Sequence, residues 1–430
     1  LSQNFRDFEE VRAERIGNPN GREHRFMLQT SMGPAAIQYL SPTGGSFPAS
    51  HKASVSEHTA IFKELAATVE IEWNLWKRAQ MSPAKYAEPL ALEFQSKSIA
   101  MKRRLAADLH GDGLGVVGQL ASASASVTGS DVRFQLATTD SARGHVGFFE
   151  FGDILVLRDA DGTATALDTN LATEPAYWKV ISRDRKNDRV VLRGLDSSFA
   201  EVSISSISVQ AAAGAVFYRY AQPSIPDLTG AIADYGSATE VMPGLESLVA
   251  ADGRVVHGVT MSGATAGTQI DCGGSGIDVS FLEEGLSTVK VNVGQGVYSW
   301  SKFCMAPEAR SALINAAETD RRFQAVQDAQ RGFSKFVYVH EQDSVEMYSS
   351  EYCPKKRARA LPKGKAAEGR VLELHMSDLS LVQVDGNKLF LKPASGGGFS
   401  RNVQQFLEGY GTLLCKHPAA VLTLKNFTVS

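Results

Sequence analysis

Cysteine is scarce in this sequence. Cys272, Cys304, Cys353 and Cys415 are the only four in 430 residues, they stand far apart, and no CxxC pair occurs. That spacing argues against a disulfide framework and against a zinc knuckle, and leaves buried free thiols of a reducing compartment as the expectation. Long apolar runs are missing too. No stretch reaches the roughly 18 residues of a membrane span, and no signal-peptide pattern opens the chain. The first residue is Leu1 rather than Met, which is read as upstream sequence cut away or left out. A basic excess is lacking: 44 Lys and Arg against 47 Asp and Glu give a net charge of −3, unlike a protein that coats nucleic acid. Catalytic signatures are absent as well. There is no GxSxG elbow, no phosphate loop ending in GK[ST], and no HxxxH among the nine histidines. His51 and His58 fall in a loop-rich stretch at a spacing that suits no helix face. The expectation is therefore a chain with no catalytic, metal-binding or cofactor-binding residues, and no enzyme.

The most marked pattern present is one long helix. Ala87, Leu90, Phe94, Met101, Leu105 and Leu109 fall on one stripe at helical spacing, with Ser98 in the middle slot and Lys97, Lys102, Arg103 and Asp108 opposite. Ser82 can cap the start and Pro83 suits the first helical position. Pro89 either places the start of the helix proper near Glu88 or kinks the first turns. Gly111 ends the helix. A span from Glu88 to His110 is about 33 Å long, well beyond the usual helix of about 11–12 residues. GLGVVG, residues 113–118, matches GxGxxG, but a dinucleotide fingerprint needs a strand before it and a helix after it. Here the helix comes first, so the glycines read as a sharp corner into a sheet.

Ahead of the helix, residues 1–22 are charged and poor in core residues. Residues 23–78 read as a very long β-hairpin. Val69, Ile71, Trp73 and Leu75 alternate with Glu70, Glu72 and Asn74 on the return, opposite an outgoing strand from about His24 to Leu40, with turn-rich 41–54 between. Two strands alone are marginal in water, so this hairpin needs a surface, either its own domain or an adjacent subunit. Beyond the helix, 121–130 is a low-complexity connector. Val132 to Tyr220 reads as β, with Tyr177–Ile181 and Val190–Leu192 flanking RDRKND, residues 183–188, as a hairpin. Pro223 and Pro226 mark a boundary. Residues 227–300 are rich in Gly and small residues and predict loops and irregular sheet. A helix is predicted over Pro307–Phe323, and strands over Lys335–His340, Arg370–His375 and Asn387–Lys392. The run Lys355, Lys356, Arg357, Arg359, Lys363 and Lys365 predicts a basic loop at 353–365, either solvated or a patch facing phosphate or another subunit. Val403–Lys416 and Ala419–Val429 predict a closing antiparallel pair joined at His417–Pro418. The fold class is α+β, in two or three domains.

Four segments carry a resemblance: RRLAADLHGDGLGVVG (103–118), KVISRDRKNDRVVLRGL (179–195), YCPKKRARAL (352–361) and EGYGTLLCKHPAAVLTLKNF (408–427). In this order, over essentially the whole chain, they resemble the major capsid proteins of tailed bacteriophages, with the Hong Kong 97-type capsid fold. The resemblance implies an N-terminal arm (1–22) and an extended hairpin loop (23–78) reaching over a neighbour. It implies a peripheral domain (79–226) with a spine helix (88–110) and a β-rich module, an axial domain (227–385), and C-terminal strands (386–430) returning to the peripheral domain. It also implies pentamers and hexamers in an icosahedral virion shell around double-stranded DNA, touched only non-specifically, and assembly in the host cytoplasm without a membrane. Partners would be a portal and scaffold or cementing proteins. Pro42, Phe47, Lys52, Trp73 and Trp76 would then be inter-subunit contacts. Some members cross-link a hairpin Lys to a neighbour's Asn; Lys52 and Lys63 are available, but no partner Asn stands out and no cross-link is assigned. An encapsulin-type compartment shell shares the implied fold. A β-rich enzyme or carbohydrate-binding module is the alternative of a different class.

Overall fold

The computed structural model describes residues 12–15, 23–31, 54–72, 83–121, 126–128, 130–139, 143–159, 175–202, 214–220, 232, 234–236, 240–293, 300–320, 324–326, 335–340, 343–362, 372–376, 380–382, 391–393, 399–415 and 417–429. The chain is a mixed α+β protein, and no helix among the described residues is long and apolar enough to cross a membrane.

Strand β1 (Arg12–Arg15) comes first. Strands β2 (Glu23–Ser31) and β3 (Ser54–Ile61) form an antiparallel ladder running from Glu23↔Ile61 to Ser31↔Ser54. Period two puts Phe26, Leu28 and Ala60 inside and Arg25 and Met27 outside. Phe26 meets the ring of His257 edge-on at 6.2 Å, so the base of this hairpin rests on its own subunit. Only Phe62 separates β3 from β4 (Lys63–Glu72). The outgoing strand therefore pairs with 54–61, not with the returning Val69–Leu75 that the alternation predicted. Val55 and Ile61 are the only large apolar residues of SVSEHTAI, which hid β3 from a reading by hydrophobic pattern.

Helix α1 runs from Pro83 to His110, 28 residues or about 42 Å. It starts at Pro83 rather than Glu88 and carries Pro89 in its second turn, at the loss of one backbone hydrogen bond. Met101, Leu105 and Leu109 are buried as the stripe predicts, and Ala106 and Ala107 widen the buried face. Arg104 Nε donates to Asp108 Oδ2, one turn on, at 2.9 Å. Gly111 N closes the last turn on Asp108 O at 3.1 Å. Gly113 and Gly115 then take φ of +82° and +77°, and the chain enters β5 (Val116–Gln119). The glycine corner is the one the sequence predicts.

Strands β5, β6 (Ser126–Thr128), β7 (Asp131–Gln135), β8 (Ile154–Arg158), β9 (Tyr177–Asp184), β10 (Arg189–Leu195) and β11 (Val216–Arg219) form one antiparallel sheet in the order β5-β11-β8-β9-β10-β7-β6. The predicted hairpin around RDRKND is β9–β10. The predicted connector at 121–130 holds a strand, β6, which pairs with β7. Phe134 sits edge-on to Trp178 and Phe217 at 5.2 and 5.4 Å in the core of this module.

The region predicted as loops and irregular sheet contains two helices. Short α2 (Leu245–Leu248) precedes β12 (Val255–Val256), β13 (Val259–Thr260) and β14 (Thr268–Asp271), and then comes α3 (Val279–Val293). Leu282, Leu286, Val289 and Val293 of α3 are buried at helical spacing. Its valines, threonine and Gly285 are weak helix formers and masked the period. A Cβ on Gly285 would lie 2.6 Å from a Leu422 methyl, so the glycine sets how closely α3 packs. Next come β15 (Trp300–Met305), α4 (Pro307–Asp320), β16 (Gln324–Val326), β17 (Lys335–His340), β18 (Asp343–Ser349) and β19 (Arg357–Pro362). Helix α4 starts at Pro307 and buries Ala309 and Leu313 as predicted. Strand β19 replaces much of the predicted basic loop.

The chain closes with β20 (Leu372–Met376), β21 (Ser380–Val382), β22 (Leu391–Pro393), β23 (Phe399–Cys415) and β24 (Leu422–Lys425). Strand β23 is 17 residues long, about 58 Å. It pairs with β4 over ten positions, Asn402↔Glu72 to Gly411↔Lys63, and also with β20, β21 and β22. Strand β1 adds to β20 in parallel. The predicted pairing of the two closing strands does not occur. The chain leaves β23, makes a 3-10 turn at Pro418–Ala420, and enters a different sheet. That sheet has the order β14-β24-β19-β15-β18-β17-β16. Leu422 and Leu424 are fully buried there, a stronger demand than closing a hairpin. The boundary expected near 385 therefore does not separate the sheets.

Gly244, the residue before α2, lies against the end of α1. A Cβ there would meet Asp108 O, with Gly111 O at 2.5 Å and Leu109 O at 2.8 Å. Glu246 N donates to Gly111 O at 3.2 Å, closing the junction. Gly244→Ala is expected to cost about 1–3 kcal/mol by overpacking, read as a lower urea midpoint. An unchanged midpoint would show that α1 and α2 part without penalty.

Candidate assembly surface

Pro42, Phe47, Lys52, Trp73 and Trp76, expected from the resemblance to be subunit contacts, lie outside the described residues. Lys63 opens β4 in register with Gly411. Its ammonium is half-buried, and burial lowers its pKa against the pull of Asp234 and Glu240. The described outer face of the β2–β3 hairpin carries Arg25, Met27 and Glu57. Arg25 and Glu57 pair at 3.6 Å in open water, which contributes little stability. Met27 is 68% exposed although the hairpin's inner face is already buried. Among the described residues β23 is the only ladder partner of β4.

A second apolar surface lies on the module. Tyr177, Phe199 and Tyr220 meet with centroids 4.7–5.3 Å apart, and Phe199 and Tyr220 stand out to solvent. Phe199 has a φ of +63°, a conformation uncommon for an aromatic residue. Asp196 holds that turn, its Oδ1 accepting from Ser198 N at 2.8 Å and Ala200 N at 2.9 Å.

Of the basic run, Lys355, Arg357 and Arg359 are turned inward onto acids of their own subunit and not solvated, while Lys363 and Lys365 lie outside the described residues. Lys355 Nζ donates to Asp188 Oδ2 at 2.8 Å and to Lys186 O at 3.3 Å. The carbonyl of Lys356 accepts from Asn426 N at 3.1 Å. Arg357 and Arg359 both pair with Glu246, and Arg359 has no exposed surface. These residues form a junction between the module, the end of α1 and the central sheet. The β9–β10 turn completes it. Arg185 grips Glu308 through two nitrogens at 3.0 and 3.2 Å and reaches the carbonyl of Glu351. Arg183 donates to Glu351 Oε2 at 2.7 Å and to the carbonyls of Gly147 and Phe149 at 3.0 and 2.9 Å.

His145 locks the same junction. Its Nδ1 accepts from Gly147 N at 3.0 Å, so the proton sits on Nε2, which donates to Tyr352 O at 2.7 Å. Burial holds the imidazole neutral, its pKa well below the ordinary histidine value. Tyr352 donates through its hydroxyl to Glu150 Oε1 at 2.9 Å. None of His145, Asp188, Glu246 or Glu308 stands out in the sequence, because their partners are far away along the chain.

No protein-family model matches the chain, and no curated protein matches it. Among solved structures, the chain is similar to the capsid asymmetric unit of cyanophage A-1(L), at 8% identity over 100% of this chain and 95% of that one, with a TM-score of 0.47. It is similar to the capsid of an empty GTA particle at 10% identity, over 98% of this chain and 90% of that one, with a TM-score of 0.44. It is also similar to the holo-SrpI encapsulin complex from Synechococcus elongatus at 9% identity, over 100% of this chain and 90% of that one, with a TM-score of 0.41.

Proposed function

We propose that this chain is a structural subunit that assembles with copies of itself into a closed shell, as a phage-type major capsid protein with the Hong Kong 97-type fold. The observation that carries the reading is the ribbon built on β23. A strand of 17 residues, against the usual 5–6 or so, is flanked among the described residues by β4 and by short strands. Such a ribbon adds contact area without enlarging a core. The outward Met27 and the length of this ribbon suit a neighbouring copy. Repetition in a closed symmetric assembly turns small contacts of this kind into a stable whole. The tightly paired junction at the end of α1 keeps the subunit rigid while its extended parts engage neighbours.

In this reading residues 1–22 and 23–78 are the arm and the extended loop, with Pro42, Phe47, Lys52, Trp73 and Trp76 at subunit contacts. The spine helix and module form the periphery, and the sheet containing β14 to β19 meets its copies at the five-fold and six-fold centres. The shell encloses double-stranded DNA in a virion assembled in the host cytoplasm, with a portal and scaffold or cementing proteins as partners.

Sizing and negative-stain microscopy of the purified chain test the reading. Rings or closed particles are expected, and a stable monomer at high concentration overturns it. Nuclease-protected DNA inside recovered particles supports a capsid; enclosed protein without DNA would point to an encapsulin-type compartment. Deleting residues 41–53, which spares β3, is expected to leave the subunit folded by circular dichroism. Particle yield should fall, since each loss of about 1.4 kcal/mol per contact weakens that contact's association constant tenfold. Normal particles from this deletion would end the reach-over role of the loop.

A further inference from the structure

His110 is the last residue of α1, Cys304 lies in β15, and Cys353 sits in the turn before β19. One ring nitrogen and the two sulfurs lie within 4.8 Å of one another. All three residues are buried, at 2%, 1% and 0% exposure. We propose that this trio binds a thiophilic divalent ion, Zn2+ in the first place, and that the ion pins the end of the long helix to the central sheet. The inference is independent of the shell reading.

The donor set is the first argument. Two sulfurs and an imidazole are the ligands that borderline-soft Zn2+ prefers. Tetrahedral Zn2+, with Zn–S of about 2.3 Å, sets its sulfurs about 3.8 Å apart. Donors already within 4.8 Å reach that spacing by small side-chain rotations. Three protein donors leave the fourth position to water.

Arg359 is the second argument and an independent one. It faces Cys304 in the β15–β19 ladder and has no exposed surface. Its Nε–H is buried without a hydrogen-bond partner. A buried donor without an acceptor costs about 1–3 kcal/mol. A thiolate is an acceptor that a neutral thiol barely is, and metal binding makes thiolates. The charge balances: two thiols lose two protons as one doubly charged ion enters, so the net charge of the junction is unchanged. The weak Cys353 Sγ–H contact to Arg357 O, 3.3 Å, is given up. The Arg359 Nη1 contact to His110 Nδ1 is long at 3.4 Å and weak, so its loss costs little. Arg359 keeps Glu246. Cys272 and Cys415 lie outside the trio and provide controls.

The test is a titration of the full chain, stripped by chelator and kept reduced, with Co2+ and then Zn2+. One equivalent of Co2+ should give thiolate-to-cobalt charge transfer in the near ultraviolet and the intense visible bands of a tetrahedral ion. Two protons should be released per ion, and Zn2+ should bleach the spectrum. Cys353→Ser and Cys304→Ser should each weaken binding by at least about 100-fold, the upper end of what losing an outer partner costs, while Cys272→Ser leaves it unchanged. The unaltered chain decides the matter even if these variants fail to fold. Weak octahedral cobalt bands without charge transfer overturn the site. So does a Cys304–Cys353 disulfide, found by mass, in protein that takes up no metal after reduction.

Discussion

Glu246→Gln is expected to lower the unfolding free energy by about 3–5 kcal/mol, the usual cost of removing one partner from a buried ion pair. Glu246 is the shared carboxylate of Arg357 and Arg359. Its side chain is 22% exposed, but that of Arg359 is not exposed at all. Glutamine keeps the length and the shape, and the backbone bond from residue 246 to Gly111 O does not depend on the side chain. The substitution therefore removes the charge and turns one of the two acceptor oxygens into a donor, so one of the two arginines also loses its acceptor. What remains is one guanidinium fully inside the protein and a second mostly so, facing a neutral amide. Against a typical total of about 5–15 kcal/mol, the loss is large and should appear as a much lower urea midpoint. Adding Arg359→Met to Glu246→Gln should recover part of it, because part of the cost is that of an unpaired buried charge. A midpoint within about 0.5 kcal/mol of the unaltered chain, the range of ordinary surface changes, would show that water already solvates these pairs.

This junction also marks the line between what the sequence makes legible and what it does not. The stripe through Met101, Leu105 and Leu109 is a local periodicity and is read directly. So are the Gly113–Gly115 corner, the turn between β9 and β10, and Pro307 at the start of α4. Alternation along Val69 and Ile71 identifies a strand and its faces but contains no information on its partner, which is β23, more than three hundred residues later. The same gap misassigned β24. The segment KHPAAVL reads as a hairpin turn, yet Leu422 and Leu424 belong to a second core. Lys355, Arg357 and Arg359 read as solvated because such residues are mostly outside. Their acids lie 167 residues away at Asp188 and 113 away at Glu246. Cys304 and Cys353 show no ligand spacing because the third donor, His110, comes from another element. The proposed neighbour contacts at Pro42, Phe47, Lys52, Trp73 and Trp76 rest on chain order alone.

Acid is expected to weaken the subunit between about pH 6.5 and pH 4, and the place where it acts can be named. His257 is buried, and burial pushes its pKa down to about 4. The charges of Lys63 and His58 push the same way, while the Leu413 carbonyl and Asp234 oppose them. Its Nε2 lies 3.2 Å from Leu413 O in β23, and its Nδ1 is buried without a partner. The unfolded chain takes up a proton near the ordinary value of about 6.5, whereas the folded chain does not until about pH 4. Between these values the unfolded state binds more protons, so stability rises with pH there. It is complete above about pH 6.5 and falls as pH drops through the window. A difference of about 2.5 pH units at 1.36 kcal/mol each makes this one residue worth about 3 kcal/mol. His145, also held neutral by burial, adds to the loss in the same direction. His257 joins the hairpin base to the ribbon: its ring meets Phe26 of β2, and the backbone N–H groups of His257 and Gly258 donate to Asp234 at 2.9 and 2.7 Å. Protonation of His257 therefore loosens the attachment of the extended hairpin at its base. Urea midpoints at pH 7.5 and 4.5 should differ clearly in the unaltered chain and by about one proton's linkage less in His257→Gln. Hydrogen exchange at pH 4.5 should rise first in β2 and β3. An equally steep profile in His257→Gln would move the linkage to other groups and leave the hairpin base insensitive to acid.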